Sequence, residues 1–256
     1  MRYLLGLTSN NRPRYLDDAV RSWARTIAHA DAMPLSTIVQ HEPGPEAYAC
    51  ADAVSEALGV RVPRLVQTVN PTVLGPLENP WQVLDRLHDL STEPDDILIL
   101  GEDDAVVSPD AVRCVAAMAD LAQKLPGYDL HRTFLCLNHR WARPLVEHAV
   151  APAEVITTAP SFCPSIWAVT ARMWFDVLRD TWDHDYSHDG WDWNFTRNVI
   201  PQHGLRILAP SLSRSDHIGR YGGAHTTEEN WAGGRAPTFD PESAIYQFRY
   251  EEGPTP

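Results

Sequence analysis

Short apolar runs alternate with helix-period patterns through the first half of the chain. YLLGLTS, residues 3–9, reads as a strand, and 14–30 places Leu16, Val20, Trp23 and Ile27 on one helical face. The pattern repeats with strands at 35–40 (LSTIVQ) and 64–69 (RLVQTV), separated by a helix over 46–59 that Gly59 stops. A helix opened by Pro80 is expected over 80–90, and another over 108–125 with Ser108 as its N-cap and Pro109 in the first turn. Between them DILILG, 96–101, is the most continuously apolar run, which predicts a central strand covered on both faces. The alternation predicts the α/β class, a mostly parallel central sheet flanked by helices. From 131 onward the periodicity weakens and tryptophans gather, but no linker intervenes, so 1–256 is expected to be one domain with a flexible tail at 251–256.

In an open α/β sheet, ligands sit beyond the carboxyl ends of the strands. Glu102, Asp103 and Asp104 follow the central strand directly. Like charges crowded there repel and lose hydration unless a cation or a hydrogen-bonding ligand compensates them. Carboxylates without neighbouring cysteines select Mg²⁺ or Mn²⁺, ions that commonly bridge nucleotide phosphates. Thr8, Ser9, Asn10 and Arg12 end the first strand and offer hydroxyls, an amide, backbone N–H groups and a guanidinium to a nucleoside or phosphate. An ordinary strand-to-helix turn would carry the same residues.

Two later segments hold further chemistry. WDHDYSHDGWDWNFTR, 182–197, sets Asp189 and Asp192 beside Trp191 and Trp193, a mixture suited to carbohydrate, because sugars stack on indoles while carboxylates take their hydroxyls. His184 and His188, four apart, are an alternative metal pair. SLSRSDHIGRYGGAHT, 211–226, combines Arg214, His217 and Arg220 with three glycines, which implies an anion or metal partner and either mobility or close backbone approach.

Composition narrows the partners. The net charge is −13 and no run of Lys or Arg occurs, which argues against nucleic acid. The four cysteines have no CxxC spacing and read as packed thiols of a reducing compartment. The N-terminal apolar run is too short for a signal peptide or a membrane span, and no later segment is longer, so a cytoplasmic protein is expected.

With these pieces in order, the chain resembles GT-A glycosyltransferases, most closely the N-acetylglucosaminyltransferase I family. GEDDAVVSPD looks like that family's carboxylate motif, GWDWNF like its Trp-Asp motif, and SRSDHIGRYGG like its glycine-basic loop, in the family's order over roughly residues 95–225. The resemblance implies a GT-A fold whose residues 1–130 bind a nucleotide sugar and whose residues 131–250 bind the acceptor. It implies that Asp104 binds the metal, that Asp103 meets the ribose or sugar nucleotide, that Asp192 is the catalytic base, and that His217 contacts the metal or diphosphate. Thr8, Ser9, Asn10, Arg12 and Glu102 are then expected around the donor, Arg214 and Arg220 at its diphosphate, and Trp191, Trp193 and Asp189 around a carbohydrate or glycosylated acceptor. The expected reaction is metal-dependent inverting transfer from a nucleotide sugar, a UDP-sugar in the first instance, in a bacterial or viral relative. Trp193 stands where the family has a second aspartate, and SFCPSIW (161–167) replaces a glycine-rich acceptor segment, which leaves sugar and acceptor open. A sugar-phosphate nucleotidyltransferase would ordinarily carry a glycine-rich N-terminal loop, and TSNNRPR is poor in glycine. A non-catalytic carbohydrate-binding module is the third reading.

Overall fold

The computed structural model describes residues 1–29, 35–138, 153–158, 162, 164–185, 191–219, 236, 239–242 and 247–250. The chain runs β1 (Tyr3–Ser9), α1 (Pro13–His29), β2 (Leu35–His41), α2 (Ala47–Leu58), β3 (Arg64–Val69), α3 (Gly75–Leu90), β4 (Ile97–Gly101), β5 (Ala105–Val107) and α4 (Ala111–Lys124). There follow β6 (Thr133–Cys136), β7 (Ala153–Thr158), β8 (Ile166–Thr170), helical runs over 171–181 and 191–203, β9 (Arg206–Pro210), β10 (Ser215–His217) and β11 (Gln247–Tyr250). Among the described residues, nine strands form one sheet in the order β11-β7-β9-β6-β8-β4-β1-β2-β3, and β5 pairs with β10 in a separate ribbon. The four strands β3-β2-β1-β4 are parallel, while β8 lies antiparallel to both β4 and β6. All five residues of β4 are buried, as the unbroken apolar run predicts for a central strand.

Two apolar layers cover the sheet. Leu5, Leu7, Ile97 and Ile99 face a core shared with α1, α2 and α4, while Leu98, Leu100 and Trp167 face one shared with α3 and the two later helical runs. The odd and even positions of β4 thus feed opposite layers, the period-two alternation of a strand. Gly6 on β1 lets α3 lie directly on the sheet, because a Cβ there would fall 2.2 Å from Val83 Cγ1.

Two helix starts differ from the sequence reading. α3 begins at Gly75, so Pro80 lies inside it. A proline cannot donate to the carbonyl four residues back. The freed Pro76 carbonyl accepts the Trp191 indole N–H at 3.2 Å instead, and the helix start is capped from afar by Glu42, whose carboxylate accepts from Leu74 N (2.9 Å) and Gly75 N (2.8 Å). α4 begins at Ala111 rather than after Ser108, because the Ser108 N–H is bonded to the Arg214 carbonyl at 3.0 Å and belongs to the β5–β10 ribbon. The expected tail 251–256 lies outside the described residues.

Asp96 ties the amino ends of β1 and β4 together. Its buried carboxylate accepts from Arg2 N (2.8 Å), Arg2 Nε (3.0 Å), Arg2 Nη2 (2.7 Å), Thr92 N (2.9 Å) and Glu93 N (3.2 Å). Burial pushes its pKa up, but these donors together outweigh burial and hold it at about 2. A depressed folded-state value contributes stability above the ordinary carboxylate range that is lost as pH falls towards about 2. Asp96→Asn should therefore cost about 1–3 kcal/mol at pH 7. In urea unfolding, the gap to the parent should close between about pH 4 and pH 2, and a gap independent of pH would remove the charge from this account.

Candidate active site

β4 delivers the chain to the carboxyl edge of the parallel strands, where Glu102, Asp103 and Asp104 form the turn into β5. The β5–β10 ribbon fixes what faces them. Ala105 pairs with His217, Val107 pairs with Ser215, and the Ile218 N–H donates to the Asp104 carbonyl at 2.7 Å. His217 Nε2 consequently lies 3.3 Å from Asp104 Oδ2 and 3.9 Å from Glu102 Oε2. Glu102, Asp104 and His217 each present a ligand atom, all within 4.8 Å of one another. Gly219 is needed for this approach, since a Cβ there would fall 1.9 Å from Asp104 Oδ2.

From the opposite side comes Arg12, in the β1–α1 connection. Its Nη1 donates to Asp104 Oδ2 at 2.7 Å, its Nη2 is paired with Asp103 Oδ1, and its Nε reaches Asp103 Oδ2 at 3.4 Å. The Asn10 N–H adds a 2.7 Å bond to Asp103 Oδ2, and Asn11 holds the turn at φ 54°, the left-handed region that asparagine tolerates. Burial raises the Asp104 pKa, but His217 and then Arg12 prevail and lower it. Glu102 moves up, chiefly through burial and then through the Asp104 charge. For His217, burial works downward and the adjacent Asp104 carboxylate outweighs it, raising the imidazole.

These residues fit a divalent cation. Asp104 is 2% exposed, yet among the described residues its Oδ1 has no hydrogen-bond partner, a costly arrangement for a carboxylate unless something else is bound there. Two carboxylates with one imidazole suit Mn²⁺ well and Mg²⁺ acceptably.

The remaining expected site residues divide. Thr8 and Ser9 end β1 beside Gln40 and His41 of β2, at the same edge. Asp192 is half-buried at the start of the 191–203 run, and Trp193 is 47% exposed with the Arg197 guanidinium 4.5 Å from its ring centre. Two of the expected residues are buried. Trp191 is packed inside, stacked on Trp182 at 4.6 Å with its N–H on the Pro76 carbonyl. Arg214 is 1% exposed and paired at 3.3 Å with Asp110, itself 1% exposed, so it braces the ribbon from within. His184 is occupied by Glu78 at 2.9 Å, whereas His188, Asp189 and Arg220 lie outside the described residues. Motif reading missed the pairing of Arg12 with the carboxylates and the capping by Glu42. Both join residues more than thirty positions apart, and no local signal announces either.

No protein-family model matches the chain, and no curated protein sequence does. Solved structures do. The S. aureus TarS fragment 1–349 in complex with UDP-GlcNAc aligns over 90% of this chain and 63% of its own, at TM-score 0.59 and 13% identity. The same fragment with UDP aligns over 82% and 58% at 0.54 and 13% identity. The mannosyltransferase PcManGT from Pyrobaculum calidifontis, in complex with GDP-Man and Mn²⁺, aligns over 83% and 57% at 0.51 and 12% identity. The chain spans less than two thirds of the length of these proteins. The fold is thus that of the GT-A glycosyltransferases, an α/β fold with a mostly parallel central sheet flanked by helices.

Gly219→Ala tests the geometry of the cluster. The added methyl group would displace the Asp104 carboxylate, and Mn²⁺ affinity measured by calorimetry should fall by about 10–100-fold, the usual scale for disturbing a ligand's support. The unfolding midpoint should stay close to that of the parent. Unchanged Mn²⁺ affinity would mean that Asp104 and His217 are not joint ligands.

Proposed function

We propose that the chain is a metal-dependent, inverting glycosyltransferase that moves a sugar from a nucleotide sugar, a UDP-sugar in the first instance, to a carbohydrate hydroxyl. The observation that carries this reading is the cluster Glu102–Asp104–His217 at the carboxyl edge of β4, with an unpaired buried oxygen on Asp104. Complexes of TarS with UDP-GlcNAc and of PcManGT with GDP-Man and Mn²⁺ share the fold and support the substrate class. The motif likeness to the N-acetylglucosaminyltransferase I family supports Asp192 as the base.

Glu102, Asp104 and His217 would hold Mn²⁺ or Mg²⁺, whose chemistry is to neutralise a diphosphate and stabilise it as a leaving group. Thr8, Ser9, Asn10, Arg12 and Asp103 line the donor side, and Arg220 completes it in this reading. Trp193 offers an exposed indole face to an acceptor ring, with Asp189 close to it in sequence. Asp192 takes the proton of the acceptor hydroxyl as its oxygen bonds to the anomeric carbon. The bond from that carbon to the phosphate oxygen breaks on the opposite face, its electron pair leaves with the nucleoside diphosphate, and the configuration inverts.

No helix of the described residues is long and apolar enough to cross a membrane. Cys50, Cys114 and Cys136 are buried.

Asp104→Ala should abolish the dependence of UDP binding on Mn²⁺, and UDP affinity that is equal with and without EDTA in the parent would contradict the metal's role. Asp192→Asn should keep donor affinity and lower turnover by about a hundredfold or more, the scale of losing a positioned base. Near-normal transfer by Asp192→Asn, or a product that retains the donor's configuration, would discard Asp192 as base in a single displacement.

A further inference from the structure

Asn138 is 1% exposed, and neither its Oδ1 nor its Nδ2 has a hydrogen-bond partner among the described residues. A buried primary amide with both ends unpaired is costly, which points to a ligand that pairs them. Its place in the sheet says which. Leu137, like Gly101, lies opposite Ile166, its N–H donating to the Ile166 carbonyl at 3.1 Å, so Asn138 leaves the sheet at the same edge as Glu102. β6 and β4 flank β8, and two strand spacings set Asn138 about 10 Å from Glu102. The Leu137 carbonyl also accepts from Arg214 N at 2.8 Å, and His217 follows three residues later, about 10 Å along an extended chain. Strand alternation gives the direction. Phe134 and Cys136 lie in the apolar layer of Trp191 and Phe195, Leu135 and Leu137 in the other, so Asn138 turns towards the side of the 191–203 run. Trp167, opposite Cys136 in the same layer, has an indole N–H that is likewise without a partner among the described residues, so this layer does not satisfy the amide.

From this placement we infer that Asn138 is a specificity-determining residue for the donor sugar, its amide bridging two neighbouring hydroxyls of the hexose. Oδ1 accepts from one hydroxyl and Nδ2 donates to the next, a pairing for which a primary amide is equipped at both ends. The inference rests on the nucleotide-sugar reading. A diphosphate at Glu102, Asp104 and His217 carries its nucleoside on one side and its sugar on the other. Thr8 and Ser9 end β1 on one side of β4, and β6 lies on the other side, beyond β8, so Asn138 meets the sugar. A buried hydrogen-bonding group left unmatched discriminates against a ligand that lacks its partner, so Asn138 selects donors with hydroxyls at those positions.

The test is calorimetric titration of UDP, UDP-glucose, UDP-GlcNAc, GDP and GDP-mannose, each with Mn²⁺, into the parent, Asn138→Leu and Asn138→Ala, with circular dichroism to verify folding. Asn138→Leu keeps the approximate shape of the side chain and removes both hydrogen-bonding ends. For the nucleotide sugar that binds the parent best, the affinity relative to its bare diphosphate should fall by about tenfold in both variants, the scale of one or two lost hydrogen bonds. The bare diphosphate should bind all three proteins alike. If Asn138→Leu does not fold, the same ratio in Asn138→Ala decides. An unchanged ratio, as expected of an amide that holds only a water, overturns the proposal, as does equal weakening of the diphosphate and the nucleotide sugar. Failure of both variants to fold would show that the protein itself needs the amide, and overturns it too. A parent that binds none of these nucleotides would instead overturn the nucleotide-sugar reading, and this proposal with it.

Discussion

The structure turns on three consecutive carboxylates at the end of a fully buried strand. Asp103 and Asp104 are each 2% exposed, and an enclosed carboxylate must be compensated or protonated. Arg12 comes from the β1–α1 turn and His217 from β10, so the compensation draws on three separate parts of the chain. The hydrogen bonds of the β5–β10 ribbon, the left-handed turn at Asn11 and the missing side chain of Gly219 all serve to bring those side chains to that place.

The sheet provides the rigidity this requires. β4 is held between β1 and β8 with apolar layers on both faces, so its carboxyl end has little freedom to move. The aromatic layer under the 191–203 run does the same for Asp192. Trp191 stacks on Trp182, packs edge-on to Phe195, and spends its N–H on the carbonyl that Pro80 leaves free, which fixes the residue immediately before Asp192. Tryptophans that look like ligand platforms in the sequence are thereby divided between support, in Trp191, and surface, in Trp193.

Much of the fold was legible because β1 to β4 carry unambiguous apolar runs, and DILILG in particular could only be a central strand. The acidic turn and the His-Ile-Gly segment were legible as chemistry, because buried charge and clustered glycines are unusual anywhere else. Their partnership was not, since the antiparallel pairing that sets His217 against Ala105 spans more than a hundred residues. The start of α3 was hidden for a similar reason. Its cap is Glu42, and a sequence window around Pro80 sees a proline that ordinarily opens a helix. The pairing of Arg214 with Asp110 inside the protein was hidden as well, since it joins residues more than a hundred positions apart.

The account stands most directly on where a metal ion sits. Crystals of the protein grown with Mn²⁺ and UDP, with diffraction recorded near the manganese absorption edge, would locate it by anomalous scattering. The account predicts one strong peak within coordinating distance of Asp104 and His217, with the UDP diphosphate touching the same ion. Bound UDP with no peak there, or a peak held by other side chains, would contradict it.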